Sequence, residues 1–259
     1  MSGSASVPSG PGRVEKYLAD RLHGGPVHFT LIDPDKSPGG RAARVARGAV
    51  ELGSHVILLG GSTGISREVM GAAAKAVKAA VDVPVVIFPE GPGSLAPEAD
   101  AVLFMSLLNS RNLDLVVRLH ARAAPVVRSM GLEPIPMGYL VVAPGMRVGE
   151  VGQVDAVPRD DLAAASGYAL AAQYLGMRYV YLEAGSGAPS PVPAPMVKAV
   201  RSSLSIPVIV GGGIRSGGDA GPLLEAGADI LVTGTITEEE GFGEGFRSIL
   251  AEVGRARGR

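Results

Sequence analysis

Cysteine and tryptophan are absent from the 259 residues, and each absence closes off some chemistry. Without cysteine there is no disulfide, no thiolate metal site and no thiol nucleophile. Aromatic residues make up only 4% of the chain, too few for platforms that stack bases or sugars. The formal net charge is -1, so no global field draws the chain to nucleic acid or to an anionic membrane. No apolar run approaches the roughly 20 residues of a membrane span. The lysines are Lys16, Lys36, Lys75, Lys78 and Lys198, and none falls in an expected strand, which argues against a Schiff-base lysine in a sheet core. The histidines, His23, His28, His55 and His120, show no metal spacing, and His28 and His55 open strands, where structural roles are expected. No Gly-x-Ser-x-Gly elbow is present.

What is present is a long alternation of apolar and amphipathic segments. Short β-branched runs predict strands at Val27–Asp33, His55–Gly60, Pro84–Phe88, Ala101–Ser106, Glu133–Val142, Tyr179–Glu183, Pro207–Gly211 and Ile230–Thr233. Helical patterns lie between most of them, at Arg41–Leu52, Ser66–Ala80, Asn112–Ser129, Asp160–Gly176, Ala194–Leu204, Gly217–Ala226 and Glu244–Ala256. Gly53, Gly131, Gly176 and Gly227 read as helix stops. Eight such units predict an α/β fold, a (β/α)8 TIM barrel, and the length suits one barrel of about 250 residues. One unit is defective. Pro89–Asp100, PEGPGSLAPEAD, carries too many prolines and glycines for a full third outer helix. It reads either as a shortened loop over a packed surface or as an apolar groove for a long hydrophobic substrate. Residues 1–12, rich in Ser, Gly and Pro and without signal-peptide character, predict a disordered tail before a single barrel domain at 13–259 in a cytoplasmic protein.

In such a barrel, chemistry gathers at the C-terminal ends of the strands. Two glycine-rich turns end the last two strands, in Val208–Ser216 (VIVGGGIRS) and Ile230–Thr237 (ILVTGTIT). Backbone N–H groups unobstructed by side chains, next to a helix N-terminus, make a phosphate site. Strand one delivers Asp33 and Asp35, a hard-oxygen pair suited to magnesium, with a helix N-cap as the plainer role for Asp33. Ser62, in the glycine-rich loop after strand two, adds a hydroxyl for a cation or a phosphate oxygen. Glu183 ends an apolar strand, where a carboxylate is costly unless paired or used. It is a candidate general base, or else the partner of an arginine such as Arg215. Tyr181 lies two residues earlier, on the same strand face, to orient substrate or to cap the core.

Six motifs then occur in order: TLIDPDK (Thr30–Lys36), LGGSTG (Leu59–Gly64), GYLVV (Gly138–Val142), YLEAGSG (Tyr181–Gly187), VGGGIR (Val210–Arg215) and VTGT (Val232–Thr235). Together they resemble the geranylgeranylglyceryl phosphate synthase family, the barrel prenyltransferases of archaeal ether-lipid synthesis, over about Val27 to Ile236. The glycine after Ala184 resembles the second main group of that family. The resemblance implies magnesium held by Asp33 and Ser62. It implies glycerol phosphate lined by Tyr139 and by Tyr181, Leu182, Glu183, Ala184, Gly185, Ser186 and Gly187. The phosphate would rest on Gly212, Gly213, Gly234 and Thr235. It implies geranylgeranyl diphosphate and sn-glycerol 1-phosphate as substrates, an ether product, a homo-oligomer, and a third outer helix replaced by a non-helical segment. The product chain must reach a membrane, so a transient membrane-surface contact is expected, although no amphipathic basic helix announces one. Three rivals stay open: a sister enzyme with another prenyl length or with 3-phosphoglycerate as acceptor, for which Arg147 and Arg215 are candidate extra cations; a phosphosugar isomerase or synthase barrel; and a non-catalytic phosphate-binding barrel.

Overall fold

The computed structural model describes residues 10–38, 40–61, 64–234 and 242–258. Eight strands form a closed barrel in sequence order, each parallel to the next, with the last returning to the first. They are β1 Val27–Ile32, β2 Val56–Leu59, β3 Val85–Ile87, β4 Ala101–Leu107, β5 Glu133–Val141, β6 Tyr179–Glu183, β7 Val208–Gly211 and β8 Ile230–Thr233. Their near-continuous burial follows from being covered on both faces, which is why the runs read as apolar rather than alternating. Alternate positions still part company. Phe29, Leu58, Leu103, Tyr139, Tyr181 and Ile209 fill the barrel interior, whereas Leu140, Leu182, Val210 and Leu231 pack outward beneath the helices.

The outer helices are α2 Gly40–Glu51, α3 Arg67–Lys78, α4 Leu119–Met130, α6 Leu162–Tyr174, α7 Ala194–Ser203, α8 Gly217–Glu225 and α9 Glu244–Arg257. α1, Arg13–His23, precedes the barrel, and α5, Met146–Val151, is a short helix after β5. Local chemistry sets several starts. Ser66 accepts from Val69 N–H, Asp161 accepts from Ala164 N–H, and Ser216 with Asp219 forms a capping box at α8. Between β3 and β4 there is only one 3-10 turn, Pro92–Ser94, in place of an outer helix, as the prolines and glycines require. α4 is preceded without a break by a π-helical turn, Asp114–Arg118.

Sequence periodicity does not assign α1 or α5, and both shape the barrel. α1 places Val14 and Leu18 into the interior cluster with Val27, Phe29, Val56 and Leu58, plugging the N-terminal end of the barrel. The carboxylate of Glu133, at the start of β5, accepts from Val14 N–H at 2.8 Å and Glu15 N–H at 2.9 Å, satisfying two orphan donors at the helix start. Buried Glu15 is in turn gripped by Arg178.

His28 on β1 is fully buried between sheet and helices. Its ring nitrogens meet Ser54 Oγ at 3.2 Å and Thr233 Oγ1 at 2.9 Å, and its ring stands edge-on to Phe246. Burial, and then the neighbouring His55, lowers its pKa to about 3. His55 is lowered to about 4, again by burial first and then by Arg257 and Arg21. The unfolded chain takes up these protons near pH 6.5, while the folded chain refuses them until about pH 4 and 3. Their contribution is therefore complete above pH 6.5 and is lost as pH falls toward the folded values. Urea unfolding should show stability falling across this window in the wild type, with a flatter profile in His28→Gln. A level wild-type profile would refute the assignment.

Candidate active site

At the C-terminal ends of the strands lies one continuous cavity of about 820 Å³. Its polar end is built from β6, β7 and β8. β6 and β7 pair with Glu183 beside Gly211, so the inward face of β6 ends in the Glu183 carboxylate. That carboxylate is only 6% exposed. It accepts from Gly185 N–H at 2.6 Å and from the Tyr139 hydroxyl at 3.1 Å, and the Tyr181 hydroxyl also hydrogen-bonds to it. Burial pushes its pKa up, while the Gly185 N–H and the two hydroxyls, which stabilise the charged form, hold the rise back. Both tyrosines are pushed well above 10 by burial first and then by the negative carboxylate, so they remain hydrogen-bond donors.

Glycine at the end of β7 makes room for this arrangement. A Cβ on Gly211 would collide with the Tyr181 hydroxyl, and one on Gly212 would collide with Glu183 Oε1. Gly212 and Gly213 also adopt positive φ, +79° and +71°, so their N–H groups turn where an L side chain would be strained. Gly212, Gly213, Ser186, Gly187, Arg215 and Gly234 line this end of the cavity. Arg215 does not pair with Glu183. Its guanidinium donates to the carbonyls of Gly187, Ala188 and Pro189, fastening the loop after β6 to the loop after β7.

Across the cavity, Asp33 accepts from Asp35 N–H at 3.0 Å. Gly61 leaves it space, since a Cβ there would lie 2.6 Å from Asp33 Oδ1. Glu90, after β3, accepts from Gly64 N–H at 2.6 Å through Oε2, while Oε1 is buried with no partner. Burial raises the Glu90 pKa most, the Gly64 and Ile65 N–H groups hold the rise back, and Asp33 and Asp35 add to it. Lys36 lines the same rim. Among the described residues, no group of three or more His, Asp or Glu side chains is placed to hold a metal ion.

The third part of the cavity leaves the barrel through its wall. The outward face of β4, Val102 and Phe104, would lie under an outer helix in a complete barrel. Here the cavity runs over it, between the 3-10 turn and α4, along Leu95, Leu119, His120, Ala123 and Val127. His120 stands edge-on to Phe104 and faces the Met105 carbonyl, and burial lowers its pKa, which keeps the ring neutral in an apolar wall.

The structure brings Tyr139, Tyr181, Glu183, Ser186, Gly187, Gly212, Gly213, Gly234 and Asp33 to one cavity. Leu182, Ala184 and Gly185, from the same motif, do not line it. Leu182 and Ala184 are fully buried in the layer between sheet and outer helices, because the two-residue period of β6 turns them away from the residues flanking them. Gly185 acts through its N–H on Glu183 rather than along the cavity wall. Ser62 and Thr235 lie outside the described residues. Gly211, Gly61 and Glu90 were not assigned site roles by sequence, although the uninterrupted glycine triplet at 211–213 was a signal for the first.

A glycine turn after β7, Gly234 after β8, an inward carboxylate and an opened wall define a (β/α)8 barrel whose single cavity has a polar end and an apolar end. The particular family follows from comparison: residues 19–253 match the PcrB family model, and the chain belongs to that family. It is 50% identical over 228 residues to geranylgeranylglyceryl phosphate synthase of Pyrococcus horikoshii, covering 88% of this chain and 90% of that protein. A solved (S)-3-O-geranylgeranylglyceryl phosphate synthase from Thermoplasma acidophilum, in complex with sn-glycerol-1-phosphate, superposes with a TM-score of 0.89 at 46% identity. That match covers 94% of this chain and 99% of that one. The counterpart from Thermoplasma volcanium gives 0.88 at 39% identity, covering 92% and 96%.

Gly212→Ala should displace the Glu183 carboxylate and strain the phosphate turn together. Binding of sn-glycerol 1-phosphate, followed by calorimetry, should weaken by at least 10-fold, about the effect of losing one charge-assisted hydrogen bond. Unchanged affinity would show that the turn does not hold the phosphate.

Proposed function

We propose that the chain is a prenyltransferase that joins geranylgeranyl diphosphate to the C3 hydroxyl of sn-glycerol 1-phosphate, forming an ether and releasing diphosphate. The observation that carries this reading is the single cavity in which a glycine phosphate turn, a buried carboxylate and an apolar groove through the barrel wall are continuous. The N–H groups of the β7 and β8 turns hold the acceptor phosphate and so fix which end of glycerol reaches Glu183. The groove over Val102 and Phe104 takes the prenyl chain, each buried methylene-sized group contributing about 0.8 kcal/mol. The C1–O bond of the donor breaks and its electron pair leaves with the diphosphate. The C3 oxygen of glycerol bonds to that carbon, and its proton passes to Glu183. A carboxylate with a raised pKa, oriented by Tyr139 and Tyr181, suits that last step.

Magnesium fits the opposite rim. Glu90 Oε1 is buried without a partner, beside Asp33 and Asp35, an arrangement of negative charge that a cation relieves. Asp33 would hold the ion together with Ser62, and the shell would be completed by substrate phosphate and water, as magnesium prefers. Bound there, magnesium supplies positive charge for the departing diphosphate. Lys36 lines the same rim and adds a positive charge there. The same reading carries a cytoplasmic homo-oligomer. No helix among the described residues is long and apolar enough to cross a membrane.

A transfer assay tests the reading. Purified protein is given sn-glycerol 1-phosphate, its enantiomer or 3-phosphoglycerate with C15, C20 or longer donors, with magnesium or with EDTA. Ether product from sn-glycerol 1-phosphate, best with the C20 donor and absent in EDTA, is the expected result. Product only from 3-phosphoglycerate would move the chain to a sister activity, and no product with any pair would end the prenyl reading.

Glu183→Gln should lower turnover by roughly 10²–10⁴ while leaving glycerol phosphate binding in place, the range for loss of a general base. Wild-type turnover should fall as pH drops through the raised pKa of Glu183, and the residual activity of the variant should lack that limb. Because the folded state raises this pKa, ionised Glu183 costs stability above it, so Glu183→Gln should also melt higher at neutral pH. Full turnover in the variant would remove Glu183 from catalysis.

A further inference from the structure

The helix that walls the apolar groove has a second face. Its inner side, Leu115, Leu119, His120, Ala123 and Val127, lines the cavity. Its outer side, over residues 111–129, exposes Arg111, Arg118, Arg122 and Arg128. Asp155 reaches Arg111 at 3.4 Å and Asp114 reaches Arg122 at 3.1 Å, and Glu150 is exposed on α5, so the four arginines outnumber these carboxylates on a chain whose overall charge is -1. Apolar side chains stand among these cations. Leu113, just before the π-helical turn, and Val117, on it, are 47% and 51% exposed. Val151, on α5, is 57% exposed and lines the groove from the other side. Hydrogen bonds from Ser110 Oγ to the Gly152 carbonyl and from Arg111 N–H to the Gln153 carbonyl hold these two segments together. Sequence reading found no amphipathic basic helix. The structure supplies one, masked in the sequence by the internal Pro125 and by the π-helical turn, which shifts the helical phase.

We propose that this face rests on an anionic lipid surface and that the groove opens toward that surface. The inference rests on the prenyl-transfer reading, because a groove that holds a long prenyl chain has reason to open where the chain leaves water. Its physical basis is separate. Arginines with exposed leucine and valine side chains between them are the composition of an interfacial helix, in which the cations meet lipid headgroups and the apolar groups enter the boundary of the acyl region. A bilayer with negative headgroups complements both the charge and the exposed apolar groups, and it receives the apolar tail of the product without exposing that tail to water.

The test uses the whole chain and needs no turnover. The protein is co-sedimented with vesicles of phosphatidylglycerol in phosphatidylcholine, and with phosphatidylcholine alone, at low and raised salt. Wild type should bind the anionic vesicles only, and salt should weaken that binding. Arg118→Glu combined with Arg128→Glu should bind them about 30-fold or more weakly, the effect of losing two surface cations. The same variant should keep its melting temperature and its turnover of the water-soluble short donor geranyl diphosphate, since neither residue lines the cavity. Val117→Asp should weaken vesicle binding in the same way. Equal binding to both vesicle types, no binding at low salt, or unchanged binding by the charge-reversed variant would each overturn the proposal. So would sedimentation velocity showing that the variant dissociates an oligomer while vesicle binding persists, which would make the face a contact between copies. If prenyl transfer itself fails while vesicle binding behaves as expected, the lipid contact stands and the reaction assignment falls.

Discussion

The arrangement at the top of this barrel depends on placing one carboxylate where water barely reaches. Glu183 is buried at the end of an apolar strand, and no lysine or arginine pairs with it among the described residues. A carboxylate in that position is costly unless hydrogen bonds replace its hydration. The donors are one backbone N–H and two tyrosine hydroxyls. Each donor constrains its surroundings. Tyr139 and Tyr181 stand opposite one another because β5 and β6 pair in that register. The Tyr181 hydroxyl and Glu183 Oε1 occupy the space that side chains on Gly211 and Gly212 would need. The glycines of the turn after β7 are thus the ones that make room for the Tyr181 hydroxyl and the Glu183 carboxylate.

A second constraint acts through omission. In a closed barrel every strand has an inner and an outer face, and the outer face is normally covered by a helix. Pro89–Asp100 cannot supply that cover beyond a single 3-10 turn. Val102 and Phe104 are left as the floor of a groove rather than the underside of a helix. The plug at the other end is correspondingly thorough, with α1 anchored through Glu133 and Arg178. The large cavity opens on the side of the missing helix, while α1 packs into the interior at the opposite end and is held there by ion pairs.

Much of this was legible in the sequence because it is local. Strands appear as short β-branched runs, the missing helix as prolines and glycines, and the turn after β7 as a run of glycines. What was missed is non-local or depends on parity. α1 is fixed by a carboxylate 118 positions away from Glu15, which no pattern in residues 13–23 announces. α5 is six residues long and bounded by glycines, too short for a period to show. Leu182 and Ala184 were grouped with the site because a contiguous motif contains them, whereas the alternation of β6 points only Tyr181 and Glu183 inward. The support of Glu183 by Tyr139 required the register of β5 against β6, which is set by barrel closure and not by either segment alone.

The placement of Arg215 bears on the choice of acceptor. An acceptor carrying its own carboxylate, such as 3-phosphoglycerate, needs a cation aimed at the acceptor position. Arg215 is the arginine of the phosphate-turn motif, and three carbonyls of the neighbouring loop occupy its donors. It is therefore committed to holding the two loops in register. On the proposed reading Glu183, a buried carboxylate whose pKa burial raises, would receive the hydroxyl proton and disfavour a second carboxylate beside it. A neutral hydroxymethyl group suits that environment, and glycerol phosphate presents one. On that reading the surroundings of Glu183 would favour an uncharged acceptor end as well as take its proton, while Arg147, the other candidate cation, also lines the cavity.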